Sequence, residues 1–383
     1  MRPGPAFAAA VILTTVLGSV HAFSVFVIPV ETALGAGRDA VSLVYGIALA
    51  SLTVGVLVGP RLWRLGPPPL VAAAAFALAA AGSALATLPS LAALYLGYGV
   101  MFGFAVGSGY GFALVIVNHA LIERRGMATG VVTAVFALGA MAAAFFFREA
   151  IAAWSYATAL LCAAAFFLLC ALAVAMLLHR SGLTIPWPAP RSSGMARPPA
   201  TPGFFWLWLG FGSGSMAGLM ALGHAAAVME HHGADPLLIT GGVMVITGTN
   251  ACGSFAAGWL ADRGLTRQVM LGLPLVAILA LLWLATTPAG IATIAALAVI
   301  QIAYGGVIAV YPIATTALVG PTQAARVYGL AFTSWGIAGF AGPWIAGLLF
   351  EASGGYTGAF IAAACVAAVS CLAVLPLRRH LAA

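Results

Sequence analysis

"LHRSGLTIPWPAPRSSGMARPPATP", residues 178–202, is the one long polar interruption in an otherwise apolar chain. Its prolines cannot donate backbone hydrogen bonds, and its serines and arginines favour water, so it reads as a linker rather than as a packed element. On both sides of it the composition is extreme. Of the 383 residues, 63% are hydrophobic and 6% are charged, against about 25% charged in soluble domains. A helix that crosses a bilayer needs about 20 apolar residues. Six such segments precede the linker, at 7–30, 40–62, 68–88, 91–119, 127–147 and 154–178, and six follow it, at 203–229, 236–261, 267–287, 290–317, 325–350 and 356–377. The pattern predicts an all-α integral membrane protein of twelve transmembrane helices. It divides into an N-terminal half (1–180), a linker (181–202) and a C-terminal half (203–383).

The apolar run from Phe7 lacks a cleavage pattern and is long enough to span, so it reads as the first transmembrane helix and not as a signal peptide. The net charge of +7 comes from arginines placed between the apolar segments. Positive residues favour the cytoplasmic side, which explains this charge without a nucleic-acid partner. With both termini cytoplasmic, Arg2, Arg61, Arg64, Arg124, Arg125, Arg180, Arg191, Arg197, Arg263, Arg267, Arg326, Arg378 and Arg379 all lie inside, and only Arg38 and Arg148 lie outside. The composition fits a bacterial inner membrane. Cys162, Cys170, Cys252, Cys365 and Cys371 include no CxxC pair, so neither a disulfide framework nor a metal site is expected, nor any cofactor. The glycine runs at 103–111 and 210–218 suit close helix approach, and without lysine or a preceding soluble strand they are not nucleotide-binding loops.

The halves also resemble each other. "GPRLWRLG" (59–66) and "GWLADRG" (258–264) lie 199 positions apart, as do Gly130 in "RRGMATGVVTAVF" and Gly329 in "ARVYGLAFTSW". Parallel six-helix repeats are a transporter architecture.

"GWLADRG" resembles the loop signature of the major facilitators, in which a carboxylate meets helix-end dipoles and arginines. That resemblance makes Asp262 and Arg263 gating candidates, whereas Trp63 stands at the aspartate's place in the first half. The stretches 21–50, 123–140 and 328–347, with "GGYTGAF" after them, resemble the oxalate:formate antiporter and monocarboxylate transporter branch of that superfamily. The resemblance implies the major facilitator fold and exchange or proton-coupled movement of small organic anions by alternating access. Three cations of those relatives are replaced here. Ser254 stands where an arginine is common in helix eight, Trp335 where oxalate-type members hold a lysine, and His21 where the animal monocarboxylate type holds one.

Ionisable groups within a membrane are expensive and mark candidate sites. His21 and His224 could carry a proton or attract an anion when charged; a neutral imidazole bonded to a neighbouring helix is the alternative. Arg148 could fork onto a carboxylate, or instead reach the headgroups or pair with a neighbour such as Glu149. Glu230, His231, His232 and Asp235 read as an exposed loop and not as a metal site. Neutral candidates are Tyr45, Tyr110, Asn250, Gln301, Tyr304 and Tyr311, since buried amides and phenols need partners and favour inward positions over lipid. With eight acidic residues, nearly all at helix ends, no nucleophile with its base and no carboxylate pair emerges. A non-enzymatic secondary transporter, monomeric in function, is expected. It would move a small organic anion, proton-coupled or by exchange, or alternatively export a neutral or amphipathic compound.

Overall fold

The structure, a computed structural model, describes residues 2–186, 203–287 and 289–379. Most of the linker predicted at 181–202 lies outside the described residues. Among the described residues, twelve helical stretches appear in chain order: α1 (Pro3–Leu34), α2 (Arg38–Leu62), α3 (Pro68–Leu85), α4 (Leu91–Ala120), α5 (Arg125–Ala153), α6 (Tyr156–Ser181), α7 (Phe204–Gly223, continued by Ala225–His231), α8 (Pro236–Leu260), α9 (Thr266–Leu284), α10 (Ile291–Val319), α11 (Pro321–Ser353) and α12 (Thr357–Val374). Each coincides with a predicted segment to within a few residues. Local chemistry sets the ends. Asp235 and Ser155 cap α8 and α6 by accepting the backbone N–H of Leu238 and Thr158, and Gly264, at φ 78°, turns the chain between α8 and α9.

Two compact units form, one from residues 1–122 and 135–188, the other from residues 123–134 and 189–383. The first ten residues of α5 therefore group with the second unit, although they precede the linker. In the first unit α3 packs on α6, α2 on α4, and α1 on both α4 and α6. In the second, α9 packs on α12, α8 on α10, and α7 on both α10 and α12. The pairings are the same with six helices added, so the repeat seen in sequence is also a repeat of packing.

Glycine makes these pairings close. A Cβ on Gly107 of α4 would overlap the backbone carbonyl of Leu52 in α2, and one on Gly253 of α8 would overlap that of Ile302 in α10. Apolar contact gains little from lipid, whose tails are as apolar as leucine, so close backbone approach supplies the association. Bulk is directed outward instead. In α11, Ala331, Ala338 and Ala346 are buried, whereas Phe340 and Trp344 are 74% and 60% exposed.

The predicted helices are less regular than their sequence periodicity. Residues Gly18–Phe26 of α1 tighten into a 3-10 helix, so His21 sits in an irregular stretch and not in an unbroken helix. The predicted seventh helix is broken at His224, whose φ and ψ of −117° and 11° leave the helical range.

Gly253→Val should lower the detergent-solubilised melting midpoint by the equivalent of about 1–3 kcal/mol, the usual effect of overpacking. Gly272→Ala, whose added carbon meets nothing within 4 Å, should leave it unchanged.

Candidate functional site

In the first unit the sequence candidates His21, Tyr45 and Tyr110 converge. His21 Nδ1 shares a 2.7 Å hydrogen bond with the Tyr45 hydroxyl, joining the 3-10 stretch of α1 to α2. The imidazole is half-buried and stands edge-on to Phe136 of α5, with centroids 5.4 Å apart and planes at 86°. Tyr110 of α4 packs on the other neighbour of this cluster, its centroid 5.2 Å from that of Phe136. Phe23 stacks on Tyr45 at 6.2 Å and leans on Tyr98 at 4.9 Å. The result is one titratable ring held by a phenol within an aromatic wall. A 3-10 segment in mid-helix often marks a functional hinge, and this one carries the histidine.

In the second unit, Asn250, Ser254, Gln301, Tyr304 and Trp335 form one network centred on α10. Asn250 Nδ2 donates to Gln301 Oε1 at 3.2 Å, and Gln301 Nε2 donates to the Gly218 carbonyl of α7 at 3.3 Å. Ser254 Oγ donates to the Gly305 carbonyl at 2.9 Å. Trp335 Nε1 donates to the Tyr304 hydroxyl at 3.0 Å, and its ring stacks on Phe332 at 4.8 Å. Four helices are thus tied by neutral bonds, which satisfies polar groups that would otherwise be costly away from water. Gln301 is 1% exposed with both ends of its amide engaged, so it serves the network rather than an open surface. Tyr311 lies farther along α10, buried and stacked on Phe211 at 4.9 Å.

His224 stands apart from that network. Its Nε2 lies 2.9 Å from the Pro343 carbonyl of α11 and its Nδ1 lies 3.4 Å from the Tyr356 hydroxyl. A neutral imidazole satisfies both partners by donating from Nε2 and accepting at Nδ1. The break in α7 is thereby fastened to α11 at Pro343, a proline inside that helix. In the first unit, Arg148 has its side chain 64% exposed and donates to Glu149 Oε1 at 2.9 Å, the neighbour pairing among the three readings weighed for it. Among the described residues, no group of three or more His, Cys, Asp or Glu side chains assembles that could hold a metal ion.

The two gating candidates separate from each other. Asp262 accepts from the backbone N–H groups of Gly126 at 2.6 Å and Met127 at 2.7 Å, one per carboxylate oxygen, at the N-terminus of the 29-residue helix α5. That end carries unpaired N–H groups and the positive pole of the helix dipole, so a carboxylate suits it twice over. Gly126 and Gly258 make the approach possible, since a Cβ on either would overlap the other's carbonyl. Arg263 points elsewhere, with its guanidinium carbon 3.2 Å from the ring centroid of Trp259. In the first half, Trp63 is buried at the place of the aspartate and donates from Nε1 to Ser108 Oγ at 3.0 Å.

Sequence reasoning missed Phe136. It bridges two candidates by its ring, and the one signal the sequence holds for it is the 199-position offset, which pairs it with Trp335.

The chain matches the family model of the Major Facilitator Superfamily over residues 7–343. It is 25% identical over 339 residues to a protein of Escherichia coli K12 described as an uncharacterized MFS-type transporter, YhjX, covering 84% of this chain and 82% of that one. Among solved structures, the E. coli fucose:proton symporter FucP aligns over 98% of both chains with a TM-score of 0.73 at 15% identity. The proton:xylose symporter XylE aligns over 97% of this chain and 94% of its own, with a TM-score of 0.74 at 15% identity. At such identities the likeness to these structures establishes the fold alone.

Asp262→Ala should speed amide hydrogen exchange in the first turn of α5 by about ten-fold or more, the consequence of losing charge-assisted bonds. Arg263→Ala should leave exchange there unchanged. Mass-spectrometric exchange on peptides spanning residues 123–134 checks both.

Proposed function

The chain belongs to the Major Facilitator Superfamily and is a multi-pass membrane transporter, not an enzyme; from that premise we propose that it moves a small monocarboxylate-like anion together with a proton, by alternating access. The observation that carries this reading is the His21–Tyr45 pair, a titratable ring in an irregular stretch of α1. An imidazole there is chemically able to accept a proton and, once charged, to hold a carboxylate. Each event favours the other, because opposite charges at short range stabilise one another most where water is scarce. Proton and anion would then enter together with no net charge moved. A permanent lysine or arginine would bind the anion without requiring the proton, so its replacement by His21 and Trp335 supports coupling rather than weakening it. The resemblance to the oxalate:formate and monocarboxylate branch points to the same substrate class.

Tyr45 and Tyr110 serve as neutral donors in this reading, with Asn250, Ser254, Gln301, Tyr304, Tyr311 and Trp335 shaping and bracing the second unit. His224 is a fastening for α7 and Arg148 a surface group, so neither is assigned the substrate. Asp262 is the gate residue: its two bonds to the start of α5 favour the arrangement in which they form, and transport requires their release. Both termini lie in the cytoplasm, in keeping with the arginine distribution, the membrane is the bacterial inner membrane, and a single chain is the functional unit.

One observation favours a second substrate class, a neutral or amphipathic compound. The polar groups of the second unit are neutral and bond chiefly to one another, so that cluster offers an anion no fixed cation among its described residues. Uptake of labelled formate, lactate, pyruvate and oxalate into proteoliposomes, with and without an inward proton gradient, separates the two. The anion reading expects gradient-dependent accumulation in the wild type and a drop of at least about ten-fold in His21→Ala, with normal membrane insertion. Accumulation of none of the acids would leave the neutral compound as the substrate class.

A further inference from the structure

We propose that Phe136 is a specificity-determining residue of the transporter, its ring setting how long a carbon chain can accompany a carboxylate held at His21. The inference rests on the reading of His21 as the anion's partner and adds a residue that neither sequence motif nor comparison assigns. Three independent observations carry it.

The first is position. The ring of Phe136 contacts His21 edge-on at 5.4 Å and Tyr110 at 5.2 Å, so one ring touches both candidates. It is half-buried, unlike Phe26, Phe102 and Phe112, which are sealed in the first unit's core. An acid whose head group engages His21 brings its carbon chain within reach of this ring.

The second is rigidity. A Cβ on Gly18 would overlap the backbone carbonyl of Phe136 itself, and one on Gly139, three residues on, would overlap the carbonyl of Thr15. Helices α1 and α5 therefore touch backbone to backbone at the ring's own residue and again one turn beyond it. With its own Cα pinned, Phe136 cannot retreat by a shift of α5, so only side-chain rotation remains. A wall discriminates by size to the extent that it cannot yield.

The third is the repeat. The offset of 199 that relates Gly130 to Gly329 also relates Phe136 to Trp335. Helices α5 and α11 thus place a large aromatic ring at the same register, and in each unit that ring contacts candidate residues: His21 and Tyr110 in one, Tyr304 in the other. Trp335 is committed to Tyr304 by its indole N–H. Phe136 has no polar tie, so its surface is left to meet apolar parts of a solute.

The test is a chain-length profile in proteoliposomes, using formate, acetate, butyrate and hexanoate under one fixed proton gradient. Each variant is read as the ratio of kcat/KM for the longer acids over acetate. Because a methylene in an apolar pocket typically discriminates by about ten-fold or more, Phe136→Ala should raise the hexanoate-to-acetate ratio at least about ten-fold, with Phe136→Leu between it and the wild type. Phe136→Trp should lower the butyrate-to-acetate ratio. Phe147→Ala, which removes a buried ring of the same helix that packs on Phe26, should leave the profile unchanged and serves as the control for loss of aromatic packing. If Phe136→Ala fails to insert, the leucine and tryptophan variants, opposite in sign, still decide. Wild-type flux with the same profile in these variants overturns the role of Phe136 and leaves the anion reading standing. Absence of flux for every acid in the wild type overturns both.

Discussion

Hydrocarbon offers no hydrogen-bond partner, and every backbone N–H and C=O that enters it has to be satisfied within the chain. Twelve helices answer that demand, and each place where the helix is relaxed needs a compensating contact. The 3-10 stretch at Gly18–Phe26 keeps its bonds internal in a tighter ladder, and Tyr98 donates to the Val20 carbonyl at 3.1 Å from a neighbouring helix. The break at His224 and the proline at 343 answer each other through one imidazole. The exposed first N–H groups of α5 take the Asp262 carboxylate. Irregular backbone and unusual side chains therefore occur together because one requires the other.

The same constraint explains what was legible beforehand. Number, type and approximate limits of the helices follow from runs of apolar residues, since the length of a span is fixed by the bilayer and not by tertiary detail. Side-chain partnerships do not follow. Apart from the resemblance that sets His21 at a lysine's place, nothing in the sequence distinguishes it, bonded to a phenol in an aromatic wall, from His224, spent on a carbonyl at a helix break, because both are single histidines in apolar segments. For Arg148 three readings stayed open until its bond to Glu149 was seen. For Phe136 the repeat offset to Trp335 is legible, but not which rings it touches, because ring contacts between distant helices leave no periodicity.

Asp262 and Trp63 show how far a repeat constrains its two copies. Packing has kept the six-helix scheme in both units, down to glycines that let α2 meet α4 and α8 meet α10. Charge has not been kept. Where the second copy has a carboxylate bonded to backbone N–H groups, the first has an indole donating to Ser108 and packed on Phe112 at 5.5 Å. A carboxylate on an exposed helix end makes strong bonds that water can replace, so they can be broken and remade; a buried indole has no comparable substitute and is a fixture.

That asymmetry extends to the two polar clusters. The second unit's amides, phenol and indole are neutral and bond to each other, an arrangement that holds four helices together and changes little with pH. The first unit has His21 instead, a group whose charge depends on its surroundings. A transporter that couples two solutes needs an element whose affinity for one depends on the presence of the other. A permanent cation lacks that dependence, because it is charged whether or not a proton is available. A histidine has it, and an aromatic wall strengthens it, since the fewer water dipoles there are to compensate, the more the proton and the anion rely on each other. The absence of the lysines and arginine carried by the branch it resembles is thus compatible with the proposed anion transport provided that the proton is an obligatory companion, and it is the aromatic surroundings of His21, more than the histidine alone, that would make it so.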